Sequence, residues 1–288
     1  MLTGPIVIGV DGSTEAAKAA AFGVKFAELL GSRCQLVHAV PDTWSVAAEE
    51  IPFDLDQYNR EIAEAHRTTT IEALKGHVPD GVLDALDIRM GRTSKVIKQV
   101  CVETGAGLVI MGGKKHPILE RWLSGSTVHQ VLHSIDVPML VTGPGSTQFT
   151  RILAAVDLSY AAGPTIKTAQ ELADILSADL WVMNVVDSFH NTSMVPLPFD
   201  HDELVQRTSK RLESEVWPLI ERPETEKVVA SGRPADAIAQ EVSSWNAALV
   251  VMGSHGKGWT ERVLLGSTTE RLLNNLPAAV LVIPVQRP

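Results

Sequence analysis

The residues Gly253-Ser254-His255-Gly256, nine further residues, and then Gly266-Ser267 carry the clearest chemical signal in this sequence. They follow an apolar run, Leu249 to Met252. A strand, a glycine loop and a helix N-terminus in that order suit an anion. Glycine lets the backbone take positive φ and come close to a ligand. Unpaired N–H groups at a helix start, with the helix dipole behind them, favour phosphate. The Ser267 hydroxyl adds a donor. Asp157 closes another apolar run, Ile152 to Val156, and offers an acceptor for a ribose hydroxyl or a base edge. Ser267-Thr268-Thr269-Glu270 also fits a capping box, in which Ser267 does no more than cap its own helix. Both readings stand at the level of sequence.

The elements that must position these residues occur twice. Ile6-Val7-Ile8-Gly9-Val10-Asp11-Gly12-Ser13 answers to Ile152-Leu153-Ala154-Ala155-Val156-Asp157-Leu158-Ser159, at an offset of 146. Gly91-Arg92 answers to Gly232-Arg233, Leu108 to Gly112 answers to Leu249 to Gly253, and Gly125-Ser126-Thr127 answers to Gly266-Ser267-Thr268, all at an offset of 141. Matches in one order at a nearly fixed offset mark a duplicated unit. A join rich in Gly, Pro, Ser and Thr, residues 142–147, separates the copies,. The expected domains are 1–147 and 148–288.

Each copy reads as strand, helix, strand, helix, strand, helix, strand, helix, strand. Ser13 and Ser159 stand where an N-cap belongs, before helices over 14–30 and 161–176. Gly31 stops the first of them. Strands follow at Cys34 to Val40 and Leu180 to Val186. Charged helices follow at about 56–74 and 201–220. Third strands end at Gly91 and Gly232, helices cover about 94–103 and 235–244, and fourth strands end at Gly112 and Gly253. The last helices run over about 126–134 and 267–275, and the last strands over 139–141 and 280–283. Alternating strands and helices predict α/β domains, each a five-stranded parallel sheet flanked by helices. Apolar strands throughout fit sheets covered on both faces. Ligands of such sheets lie at the carboxyl ends of the strands, where the strand order reverses.

An Asp after the first strand, with G-x2-G-x9-G-[S/T] after the fourth, resembles the universal stress protein family in its tandem two-domain form. The resemblance covers nearly the whole chain, twice. It implies two tandem Rossmann-like domains of the adenine nucleotide alpha hydrolase-like kind. It also implies ATP, with Mg2+, held between those loops. By position, Ala155, Val156 and Asp157 flank the adenosine, and Val185 lines the adenine pocket. Met252, Gly253, His255, Gly256, Gly266, Ser267 and Thr268 wrap the ribose and phosphates. Their counterparts in the first copy are Gly9, Val10, Asp11, Ala39, Met111, Gly112, Gly125, Ser126 and Thr127. The first copy departs from the pattern, because Lys115 stands where the second glycine belongs and Pro117 replaces Gly258. A side chain at 115 blocks backbone approach, or else Lys114 and Lys115 supply charge to an anion. The resemblance further implies a homodimer, or an intramolecular pseudo-dimer through the last strands, residues 137–141 and 280–283. A protein partner is implied but not identified.

Other classes find less support. The chain has 288 residues, 45% apolar and 20% charged, with a net charge of −9. An acidic surface repels phosphate backbones, so nucleic acid is not an expected partner. The halves carry −4 and −5, so charge does not separate their roles. Apolar runs of about six residues fall far short of the ~20 that span a bilayer. With no basic-then-apolar start and only Cys34 and Cys101, a cytoplasmic protein is expected, its thiols buried. There is no G-x4-G-K-[S/T] loop and no G-x-S-x-G elbow. No nucleophile with a base and an orienter stands out, so at most slow ATP hydrolysis is expected, and an ATP-using enzyme is the least supported reading. A scaffold of the same fold without nucleotide is the main alternative. His129 and His133 share a helical face, but a third metal ligand is not apparent. Five tryptophans scatter as packing or loop anchors, and the acidic insertion over 41–58 is a lid, a partner surface or a packed excursion.

Overall fold

The computed structural model describes residues 2–41, 55–113, 127–143, 149–187, 201–255 and 265–284. They form two compact units, one ending at Thr142 and one beginning at Gly143.

The first unit contains β1 (Ile6–Gly9), α1 (Thr14–Leu29), β2 (Cys34–Val40), α2 (Leu55–Leu74), α3 (Asp80–Asp84), β3 (Asp87–Met90), α4 (Thr93–Thr104), β4 (Leu108–Gly112), α5 (Thr127–Ser134) and β5 (Met139–Thr142). Its strands lie in the order β3-β2-β1-β4-β5, every pair parallel. The second unit contains β6 (Arg151–Ala155), α6 (Ala162–Leu176), β7 (Asp179–Asp187), α7 (His201–Glu215), β8 (Glu226–Gly232), α8 (Pro234–Trp245), β9 (Leu249–Gly253), α9 (Ser267–Asn275) and β10 (Ala279–Ile283). Read from β8, its order is β8-β7-β6-β9-β10, again all parallel. The two units therefore share one topology. In each, the order reverses between the first strand and the fourth, β1 beside β4 and β6 beside β9.

The central strands are buried because helices cover both faces, which removes the need for polar alternation. Ile6, Val7 and Ile8 are at most 1% exposed, as are Ile152, Leu153, Leu249, Val250 and Val251. Helix α1 lies close on β1. A Cβ at Gly23 would stand 2.6 Å from the Ile8 Cδ1 atom, so a larger residue there would have to push that side chain aside.

Helix ends explain most of the boundaries. Ser13 caps α1, its Oγ accepting from Ala16 N–H at 3.2 Å. Gly31, at φ 59°, ends it in a Schellman arrangement,. Gly31 N–H donates to Glu28 O and Ser32 N–H to Ala27 O. Ser159 does not repeat the role of Ser13. Helix α6 starts at Ala162, its N-cap Ala161 is already helical, and Ser159 instead accepts from Ala161 N–H in the preceding turn. The charged helix expected to reach residue 220 stops at Glu215. Pro218 lacks an N–H and a short 3-10 turn, Trp217–Leu219, takes over,. Helix α3 has no counterpart in the sequence reading. Trp181 and Trp245, read as scattered, stack with ring centroids 4.2 Å apart at the start of β7 and the end of α8. Most of the insertion over 41–58 lies outside the described residues.

Candidate functional site

In the second unit the site residues gather at the carboxyl ends of β6 and β9, where the strand order reverses. Ala155 pairs with Met252 across those strands and with Met183 on β7. Val185, two residues beyond Met183, is half-buried and shares its face,. Val156 N–H donates to Met183 O at 2.9 Å, and Val156 O accepts from the Asn184 side-chain amide at 2.8 Å. The peptide leading into Asp157 is thus held from both ends.

Asp157 is half-buried, and its Oδ1 accepts from the Ser159 N–H at 3.1 Å and from the Ser159 hydroxyl. This is an Asx-turn that orients the carboxylate. The end of β9 is tied to β10 by one bond and to the start of α9 by two. Ser254 N–H donates to Ile283 O, Gly266 N–H donates to Ser254 O, and Thr269 Oγ1 donates to Gly253 O, at 2.8, 2.8 and 3.0 Å. His255 is half-buried, its Nδ1 3.0 Å from Ser254 Oγ.

These ties bear on the capping reading of Ser267. The N-cap is Gly266, with extended backbone at φ −60° and ψ 139°, and among the described residues no side chain caps the helix. Ser267 is the first helical residue and is exposed. Ser267 therefore does not occupy the cap position that a capping box over 267–270 requires. The first-turn N–H groups of α9 have no intrahelical acceptor. Thr268 is half-buried and Thr269 fully buried, so Ser267 and Thr268 are the more outward residues of that turn. Gly256 and Gly258 lie outside the described residues.

In the first unit Gly9 pairs with Met111, and Val10 N–H donates to Val37 O at 2.9 Å. Val10 O accepts from His38 Nδ1 at 2.7 Å. Asp11 is exposed and accepts from Ser13 N–H at 3.0 Å. Ala39 is 9% exposed, and Thr127 is exposed at the first position of α5. Gly112 has a reason to be glycine that owes nothing to a ligand. A Cβ there would stand 2.8 Å from the Glu15 carbonyl carbon and 3.0 Å from Ala16 N, in the first turn of α1. Lys114, Lys115, Pro117, Gly125 and Ser126 lie outside the described residues.

Sequence reasoning missed Ser254, Thr269 and the pair His38 and Asn184. A polar residue inside an apolar strand run is the signal that was there to be read for the last two. Cys101 is buried, and burial pushes its thiol up to about 11. Cys34 is half-buried, and its thiol is raised by burial first and by Glu28 second. His133 is exposed. Among the described residues no group of three or more His, Cys, Asp or Glu is placed to hold a metal ion, and no helix is long and apolar enough to cross a membrane.

The family model described as "Universal stress protein family" matches residues 3–143 and again 148–284. A universal stress protein of Mycobacterium tuberculosis is 26% identical over 298 residues, covering 96% of each chain. A universal stress protein of Methanocaldococcus jannaschii is 30% identical over 146 residues, covering 48% of this chain and 84% of that protein. The crystal structure of a universal stress protein from Archaeoglobus fulgidus superposes with a TM-score of 0.65 at 18% identity, covering 97% of this chain and 98% of that one. At that identity the superposition speaks for the fold.

Proposed function

The chain belongs to the universal stress protein family, and from that premise we propose that it is an ATP-binding regulatory protein of the stress response, with the nucleotide held in the second unit. The observation that carries this reading is the start of α9. Gly266 occupies the cap position without a capping side chain, and Ser267 stands exposed beside the first-turn N–H groups. Those donors suit a polyphosphate. Asp157 is an acceptor-only carboxylate and suits a ribose hydroxyl. The two chemistries meet at the ends of adjacent strands β6 and β9. Mg2+, when bound, would neutralise phosphate charge. The role proposed for the chain itself is to bind and orient.

The residues proposed to bind are Ala155, Val156, Asp157, Val185, Met252, Gly253, His255, Gly256, Gly266, Ser267 and Thr268. The first unit offers a second, altered site at Gly9, Val10, Asp11, Ala39, Met111, Gly112, Gly125, Ser126 and Thr127, with Lys115 in place of glycine. One observation favours a scaffold role for that unit instead. Gly112 is already required by the packing of α1, so its presence does not argue for a ligand. A cytoplasmic homodimer is part of the same proposal, and light scattering on the purified chain measures its mass.

Calorimetry with Mg-ATP and native mass spectrometry of the purified protein test the main reading. Binding that is abolished by Asp157→Ala and weakened by Ser267→Ala supports it. Absence of heat and of co-purifying nucleotide at high protein concentration sinks it, and leaves the scaffold reading.

A further inference from the structure

His38 and Asn184 occupy the same place in the two units. Each follows the residue whose carbonyl accepts from Val10 or Val156, and each donates to the carbonyl just before the strand-end aspartate. A carbonyl only accepts, so His38 Nδ1 carries a proton. The other ring nitrogen, Nε2, lies 3.0 Å from Nδ1 of His66 on α2. The ring centroids are 5.2 Å apart and the planes differ by 25°. That separation is the nitrogen contact lengthened by half a ring at each end, so the rings meet tip to tip rather than face to face. A metal on that line would need about 4 Å between the nitrogens. The contact is an N–H···N bond, and it holds one proton.

We propose that His38 and His66 form a proton-gated clasp that ties α2 to the strand end carrying Asp11, and that uptake of a second proton opens it. With Nδ1–H of His38 spent on Val10, its bare Nε2 accepts from Nδ1–H of His66. One extra proton is tolerated, at the outer nitrogen of His66. The next must go to His38 Nε2. It sets N–H against N–H and two positive rings against each other, with His38 only 7% exposed. The N–H···N bond breaks, and the freed N–H groups turn to water.

The surroundings do not offset that charge. Helix α1 turns Ala16, Ala17, Ala19, Ala20, Phe22 and Phe26 inward. On β3 the register partner of His38 is Ile88, whereas Asp87 and Arg89, the latter paired with Glu103 on α4, sit on the opposite face by strand alternation,. One turn either side of His66 stand Ile62, Ala63, Thr69 and Thr70. Glu64 and Arg67 on α2 face each other at 4.0 Å. Asp80 and Asp84 on α3 are exposed, and Asp11 is exposed and bonded to Ser13 N–H. The opened arrangement binds one more proton than the closed one, so by linkage a falling pH favours the opened arrangement. Asn184 makes the same carbonyl bond at 2.8 Å with a group that does not titrate, so the second unit has no such gate.

Hydrogen exchange on the full chain, corrected for intrinsic rates, tests this between about pH 7.5 and about pH 5.5, the span in which histidine charges. Protection of α2 beyond residue 62 is expected to fall about tenfold or more on acidification, with α7 unchanged. His38→Asn rebuilds the arrangement of the second unit and is expected to flatten that response. An α2 whose protection is the same at both pH values overturns the proposal, as does an unchanged acid response in His38→Asn. Nitrogen-15 spectra of the unmutated protein give a reading that needs no variant. His38 is expected as the Nδ1–H tautomer at neutral pH, and an Nε2–H tautomer overturns the clasp.

Discussion

Two glycines and one serine show how a residue type acquires its role from its neighbours. Gly112 is held by contact with the backbone of α1, whatever its place in the repeat. Gly112→Ala is expected to cost about 1–3 kcal/mol through overpacking, because the atoms it meets are backbone and cannot swing away. Thermal unfolding with and without ATP measures it, and the loss should be the same in both. Ser267 is the opposite case, a side chain released from capping because Gly266 takes the cap. Ser267→Ala should weaken ATP binding by roughly tenfold to a hundredfold, the worth of a hydrogen bond to a charged group, with little change in stability without ligand. A calorimetric titration that finds unchanged affinity removes Ser267 from the site. Cys101 is a third case. Its thiol is pushed up to about 11 by burial, and the thiolate is the reactive form. In the native protein it should resist a disulfide reagent at about pH 8 and react only on unfolding. The raised value has a sign for stability. The folded state keeps the proton longer, so the contribution is full below the ordinary thiol range and is lost as pH rises toward about 11,.

At the scale of elements, the units end their helices differently. Helix α1 closes on Gly31, whereas α6, α8 and α9 close on Ser177, Asn246 and Leu276 in left-handed conformation, at φ 50°, 55° and 40°. A side chain in that region costs about 1–2 kcal/mol, and asparagine tolerates it best. Ser177→Gly is therefore expected to stabilise the protein by about 0.5–1 kcal/mol after the entropy of glycine is set against the relieved strain. Denaturant unfolding decides it, and a loss of stability would show that the Ser177 side chain contributes something its backbone conformation does not reveal. The edge strand β3 is short, and Arg89 bonds Asp87 and Glu103 at 2.8 and 2.7 Å. Charged side chains on a short edge discourage pairing with another chain.

At the scale of the whole molecule, two units of one topology each carry a core of their own. A ligand that binds one unit stabilises that unit by mass action, about 2.7 kcal/mol at a hundred times its dissociation constant. With ATP in the second unit alone, hydrogen exchange should slow in β6, β9 and α9 and stay unchanged in β1, β4 and α5. Native mass spectrometry should then count one nucleotide per chain. Two nucleotides per chain would mean that Lys115 is tolerated or used.

Much of the fold was legible because its signals are local. Apolar runs mark β6 and β9, the Ser-to-Gly span marks α1, and a repeated order of landmarks marks the duplication. Each depends on residues close in sequence, where periodicity and backbone preference act. The parts that could not be read depend on partners distant in sequence. Whether Ser267 caps α9 was decided by Gly266 bonding to Ser254, and whether Gly112 serves a ligand or a helix was decided by α1. That His38 and Asn184 hold the same peptide in the two units follows from strands β2 and β7 lying beside β1 and β6. The sequence by itself determined the family, the duplication and the strand ends at which a ligand is expected. The tertiary structure alone decided which polar groups are already satisfied, because a buried hydrogen bond is set by what packs against it.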